Sequence, residues 1–118
     1  MITLICGLPR AGKTTYSERF EDVIHLDTSG AYNGVNRRLE HRTGDVIVEG
    51  VYHTKSLRER LLKAYKGTGS RCIWMNTPDE IRHNRRGWDK FCDYPFEPPT
   101  YDEGWDEIIV IRGDQCQQ

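Results

Sequence analysis

The 118-residue chain has no apolar run near the roughly 20 residues that span a bilayer. Its opening, Met1-Ile2-Thr3-Leu4-Ile5-Cys6, lacks the basic stretch and the length of a secretory signal. With a mean hydropathy of −0.73, these absences lead to the expectation of a cytoplasmic protein with no membrane partner. Cysteine is sparse. Cys6, Cys72, Cys92 and Cys116 form neither a C-x-x-C pair nor a cluster with His at zinc spacing, which argues against a zinc module or a dithiol redox centre. Cys6 and Cys72 fall in apolar runs and read as small core residues. Repeats and low-complexity tracts are missing, so a solenoid is excluded. At this length there is room for one domain, residues 1–118, with a modest core.

Net charge is also nearly absent, with 17 basic against 18 acidic residues, but the charge is unevenly spread. Residues 55–90 hold 10 basic and 4 acidic groups, whereas residues 91–118 hold 1 and 7. A basic middle can meet an anionic ligand, or the two blocks can be solvated faces that offset each other.

The pattern of elements is strand, glycine loop, helix, then further alternation. Ile2–Cys6, Val23–Leu26, Val46–Val48, Cys72–Met75 and Ile108–Ile111 are short continuous apolar runs, the signature of strands covered on both faces. Helices are expected over Lys13–Glu21 and over Ser56–Lys66 with Gly67 as its cap. A third should start at Thr77-Pro78 and run to about Arg86. The expected fold is a three-layer α/β/α sandwich with a five-stranded parallel sheet. Residues 88–105, rich in Pro, acids and aromatics, should form a long ordered loop.

Gly7-Leu8-Pro9-Arg10-Ala11-Gly12-Lys13-Thr14 fits G-x-x-x-x-G-K-[ST] at every fixed position, between a strand and a helix. The glycines let backbone N–H groups turn inward around anionic oxygens, and the helix N-terminus adds partial positive charge. In such a loop Lys13 reaches the β- and γ-phosphates of a nucleotide and the Thr14 hydroxyl can ligate Mg²⁺. Gly7 to Thr14, with Thr15 beyond it, is therefore the expected nucleotide-phosphate-binding segment. The strand Val46-Ile47-Val48 ends in Glu49, a second candidate for Mg²⁺ if that strand lies beside the first. Asp27 follows the second strand and should converge on the same sheet edge. Arg82, Arg85 and Arg86 have helical spacing, so they fall on one face and can neutralise charge on a transferred phosphoryl group, or simply be solvated.

These features resemble the P-loop kinases, a group that includes shikimate, gluconate and polynucleotide kinases. Val48-Glu49-Gly50-Val51-Tyr52-His53 and Phe96-Glu97-Pro98-Pro99-Thr100-Tyr101-Asp102-Glu103-Gly104-Trp105 are similar to polynucleotide 5′-hydroxyl kinase domains. The resemblance implies transfer of the γ-phosphate of ATP to a hydroxyl, with a DNA or RNA 5′ end favoured and a nucleoside or other small molecule as the alternative. It implies Lys13, Arg82, Arg85 and Arg86 as catalytic cations, and a lid over about residues 78–105. The chain departs from that family where an Asn-Arg-Asp-like run would carry the base: the like-for-like position is Ser29, and Asp27 is the nearby acid. The short span from Asp27 to Gly44 leaves an open acceptor side. Six of the twelve aromatics lie within 88–105, either to stack a base or to order the loop. Arg37, Arg38 and Arg42 are expected near the acceptor side, where they would steer a phosphate backbone or be solvated. A GTPase is a poor fit, since Asn76-Thr77-Pro78-Asp79 lacks the Lys of a guanine-reading motif. A non-catalytic ATP-binding or ATPase module is the remaining class.

Overall fold

Runs of Ile, Leu and Val cannot be solvated cheaply on either face, and each buried aliphatic side chain is worth about 1.5–3 kcal/mol. The computed structural model, which describes residues 1–26, 32–93 and 95–112, buries these runs in one five-stranded parallel sheet. Strand β1 (Ile2–Cys6) is followed by α1 (Lys13–Ser17), β2 (Val23–His25), α2 (Tyr32–Leu39) and β3 (Val46–Glu49). Helix α3 (Lys55–Ala64), β4 (Ser70–Met75), α4 (Asp79–His83) and β5 (Glu107–Ile111) complete the order. The strands lie in the order β2-β3-β1-β4-β5. All five residues of β1, the central strand, are buried.

Side-chain alternation along the strands divides the core. Ile2, Leu4, Cys6, Val46, Val48 and Cys72 pack against Val35 and Leu39 of α2 and Leu61 of α3. Ile5, Ile73 and Met75 face the other way, under Tyr16 and Phe20. This is the three-layer α/β/α arrangement expected from the sequence. Cys6 and Cys72 are buried free thiols, as expected.

The helices differ from expectation in informative ways. Helix α1 stops at Ser17 rather than Glu21. The Ser17 hydroxyl donates back to Thr14 O at 2.8 Å, and Arg19 and Phe20 bond three residues back, which tightens the chain into a turn. Helix α3 is capped at its start by the Thr54 side chain and ends two residues before Lys66. Tyr65 is drawn into extended backbone, and its hydroxyl donates toward the Thr43 and Gly44 carbonyls. Gly67 is therefore needed for close approach rather than as a cap: a Cβ there would lie 2.3 Å from Thr43 O. Helix α4 ends at His83, and the Thr77 hydroxyl bonds Ala11 O at 2.5 Å instead of capping it. Helix α2 was not anticipated; it is held by Val35 and Leu39, one turn apart.

A buried ion pair fixes the C-terminal third. Arg58 of α3 donates to both carboxylate oxygens of Glu103 at 2.8 and 3.0 Å and to Tyr52 O at 2.8 Å. Trp105 Nε1 and Thr100 N supply further donors to Glu103. Phe96 stacks on Trp74, and Glu97 N bonds His53 O. Residues 96–105 thus lie bound to the core. Of the aromatics expected to order this loop, Trp105 and Phe96 do so, whereas Phe91 and Tyr101 are exposed.

Removing one partner of such a pair strands the other charge, so Glu103→Ala should destabilise the fold by about 3 kcal/mol or more. Urea unfolding measures it, and a loss below about 1 kcal/mol would contradict a buried, fully paired Arg58. Burial pushes the Glu103 carboxyl up, but the bonds from Arg58, Trp105 and Thr100 hold it below its ordinary value. Its contribution is therefore present above the unfolded-state value, roughly pH 4.3. The same contribution should fade as pH falls through the lower folded-state value, which the same unfolding series at acid pH would follow.

Candidate functional site

Parallel strands present their C-terminal ends on one edge, and ligands bind there where neighbouring connections diverge. Strands β1 and β3 are such neighbours. The chain leaves β1 toward α1 on one face and leaves β3 toward α3 on the other. Their register pairs Ile5 with Glu49, and that of β2 with β3 pairs His25 with Glu49. The glycine loop rises from β1 directly over this acid.

The loop turns as its residues require. Gly7 has φ +151°, and a Cβ on it would sit 2.7 Å from Met75 O, so no larger residue fits without moving the β4 backbone. Gly12, at φ +99°, stands at the start of α1. There Thr14 Oγ1 donates to Glu49 Oε1 at 3.0 Å. His25 Nδ1 lies 3.4 Å from the same oxygen. Lys13 is buried and donates to Leu8 O at 2.9 Å. Burial lowers its pKa from 10.5 to about 8, with Glu49 opposing the shift. Pro9, Arg10, Lys13, Thr14, His25, Leu26, Glu49 and Val51 enclose a cleft of about 620 Å³, within the size range of small-molecule sites.

The sequence-derived residues separate into groups. Lys13, Thr14 and Glu49 come together at this cleft with Pro9 and Arg10, whereas Gly7, Leu8, Ala11, Gly12 and Thr15 of the expected segment are not among its lining residues. Asp27 and Ser29 lie outside the described residues. The three arginines do not share a helical face, because α4 ends before Arg85. Arg82 is buried at 1% exposure, and its guanidinium donates to Pro9 O (3.1 Å), Asp79 (2.9 Å) and Asp93 (2.6 Å). The bond from Arg82 holds the Asp93 carboxyl below its ordinary value. Asp93 also meets His83 Nε2 at 2.8 Å. Arg85 Nη1 donates to Arg10 O at 2.7 Å, and Arg86 is exposed. Sequence reasoning missed His25; a His in an apolar strand two residues before the Asp27 candidate was the available signal.

One expectation is corrected. Arg37 and Arg38 lie in the last turn of α2, and Arg42 O accepts from Lys66 N just before the chain enters β4. Val46, four residues after Arg42, opens β3. These arginines are therefore at the sheet edge opposite the cleft, because α2 runs antiparallel to the strands.

Thr14 and Glu49 form a pair of hard oxygen donors one hydrogen bond apart, which fits the oxygen preference of Mg²⁺. Among the described residues no cluster of three or more His, Cys, Asp or Glu forms a larger metal cage; Mg²⁺ characteristically needs only one or two protein ligands beside substrate phosphates.

No family model and no curated protein sequence matches the chain. Solved structures share its fold. The unliganded crystal structure of a sugar kinase from Janibacter sp. HTCC2649 superposes with a TM-score of 0.71 at 13% identity, covering 98% of this chain and 88% of that one. The crystal structure of APE1195 superposes with a TM-score of 0.67 at 23% identity, covering 92% of this chain and 83% of that one. The overall α/β fold is thus shared with these two solved structures.

An anion beside Lys13 would return its pKa toward the ordinary value, so binding of a polyphosphate should take up protons. At pH 8.5 a group of pKa about 8 is about one-quarter protonated, so uptake should be roughly 0.7 proton per site. Calorimetry in buffers of different ionisation heat reads this number, and Lys13→Met should abolish it. Uptake near zero in the unaltered protein would contradict a buried Lys13 facing the ligand.

Proposed function

We propose that the chain is an ATP-dependent kinase that transfers the γ-phosphate of ATP to the hydroxyl of a small-molecule acceptor. The observation that carries this reading is the Thr14–Glu49 contact at 3.0 Å, beside a buried lysine at the end of a glycine loop. Backbone N–H groups of Gly7 through Thr15 would cradle the triphosphate, and Lys13 would hold its β- and γ-oxygens. Thr14 and Glu49 would hold Mg²⁺, which when bound neutralises charge on the same oxygens. Asp27, next in the chain after the cleft residue Leu26, would orient or deprotonate the acceptor hydroxyl. His25 and Val51, which also line the cleft, would face the acceptor.

The arginine-bearing segment would close over the phosphates, but its movable part is shorter than 78–105. Residues 96–105 are bound to the core through Phe96, Glu103 and Trp105, which leaves about residues 78–93 as the lid. Arg85 bonds the Arg10 carbonyl, Arg82 bonds the Pro9 carbonyl, and Arg86 is exposed. A small acceptor is preferred to a nucleic-acid 5′ end because the Arg37, Arg38 and Arg42 patch lies at the far edge of the sheet. The sugar kinase neighbour supports the fold side of this reading.

The test is transfer of labelled γ-phosphate in Mg²⁺ to small polyols and sugars, nucleosides, and 5′-hydroxyl DNA and RNA. Transfer to a small polyol, sugar or nucleoside is expected, and Lys13→Ala should slow it by about 10² or more. A preference for the nucleic-acid ends would return the acceptor to the one that the sequence resemblance favours. ATP hydrolysis indifferent to every acceptor, or no turnover, would replace the kinase by an ATP-binding module.

A further inference from the structure

The cations around the glycine loop differ in what balances them. Arg82 is enclosed and carries two carboxylates, Asp79 and Asp93. Arg85 places a guanidinium N–H on the Arg10 carbonyl. Neither lines the cleft. Arg10 does line it, and no carboxylate of the described residues lies within ion-pair distance of its guanidinium.

The Arg10 backbone is unusual. Its φ of +66° is left-handed, a conformation that costs a non-glycine residue roughly 1–2 kcal/mol. The contacts around it hold that conformation in place. Arg82 bonds the preceding carbonyl, Pro9 O, and Arg85 bonds the carbonyl of Arg10 itself. The side chain is turned against the 85–88 turn, where a Cβ built on Gly87 would lie 2.7 Å from Arg10 Nη2. An exposed, uncompensated guanidinium is thereby carried by a residue that lines the cleft together with Lys13, whose like charge it repels. An anion in the cleft relieves that repulsion and satisfies both.

We propose that the Arg10 side chain is the arginine that contacts the polyphosphate, and that Arg85 is a positioning residue acting through the Arg10 carbonyl. The proposal rests on the reading of Gly7–Thr14 as a phosphate site, and it moves the ligand-facing arginine from the lid into the loop. The guanidinium supplies parallel N–H donors suited to phosphate oxygens, which a backbone cradle alone does not.

Binding of magnesium tripolyphosphate, a probe with no base or sugar, tests it by calorimetry. Arg10→Ala should weaken binding about tenfold or more, with the thermal unfolding midpoint unchanged, and Arg10→Lys should recover part of the loss. The deficit should shrink as NaCl is raised, since the site is open to solvent. Arg85→Ala should weaken binding in the unaltered protein and have little further effect when Arg10 is already Ala. Arg10→Ala binding within twofold of the unaltered protein, with Lys13→Ala still impaired, overturns the Arg10 assignment and leaves the loop intact. Equal losses from Arg85→Ala in both backgrounds overturn the positioning role. Absence of tripolyphosphate binding in the unaltered protein overturns the phosphate site itself and the proposal with it.

Discussion

The pairing of β1 with β3 is the constraint on which the rest of the molecule depends. It sets Ile5 opposite Glu49, and with that one register the loop leaving β1 must pass over the acid ending β3. A shift by one residue would turn Glu49 to the other face and bury a carboxylate against α1 or α3. The register is protected because every residue of β1 is buried, so any slip misplaces several apolar side chains at once. Core and site are thus specified by the same hydrogen-bond ladder.

Around that ladder, charge is organised by burial. The cations of the structural ion pairs are enclosed: Arg58 with a buried Glu103, and Arg82 with the exposed carboxylates of Asp79 and Asp93. On the cleft, Arg10 has no carboxylate of the described residues within ion-pair distance. The basic middle of the sequence therefore does not act as a block. Two of its arginines are internal struts, and the electrostatic pull of the cleft falls to Lys13 and Arg10, which belong to the first third of the chain.

Much of this was legible in sequence because it depends on local chemistry. Continuous apolar runs gave the buried strands, glycines and a lysine at fixed spacing gave the loop, and a carboxylate after Val48 gave the second half of the site. The misreadings share a different cause. Whether Arg82 faces a ligand or a carboxylate depends on Asp93, eleven residues away, and on Pro9 O, seventy-three away. Spacing predicted one helical face for Arg82, Arg85 and Arg86, but the helix ends after five residues. Arg37, Arg38 and Arg42 were misplaced because the direction of α2 relative to the sheet follows from topology, not from composition. Asp27 lies outside the described residues.

The Arg58–Glu103 pair spans 45 residues and joins the end of the chain to its middle. A chain made from its N-terminus completes β1, the glycine loop, β3 and α3 well before Glu103 exists. During that interval Arg58 has no carboxylate to receive it and must keep its water, so α3 cannot settle fully onto the sheet. The site is encoded before residue 50, yet the ion pair that seats α3 on the sheet needs a carboxylate from beyond residue 100. Translation order and structural order run in opposite directions here.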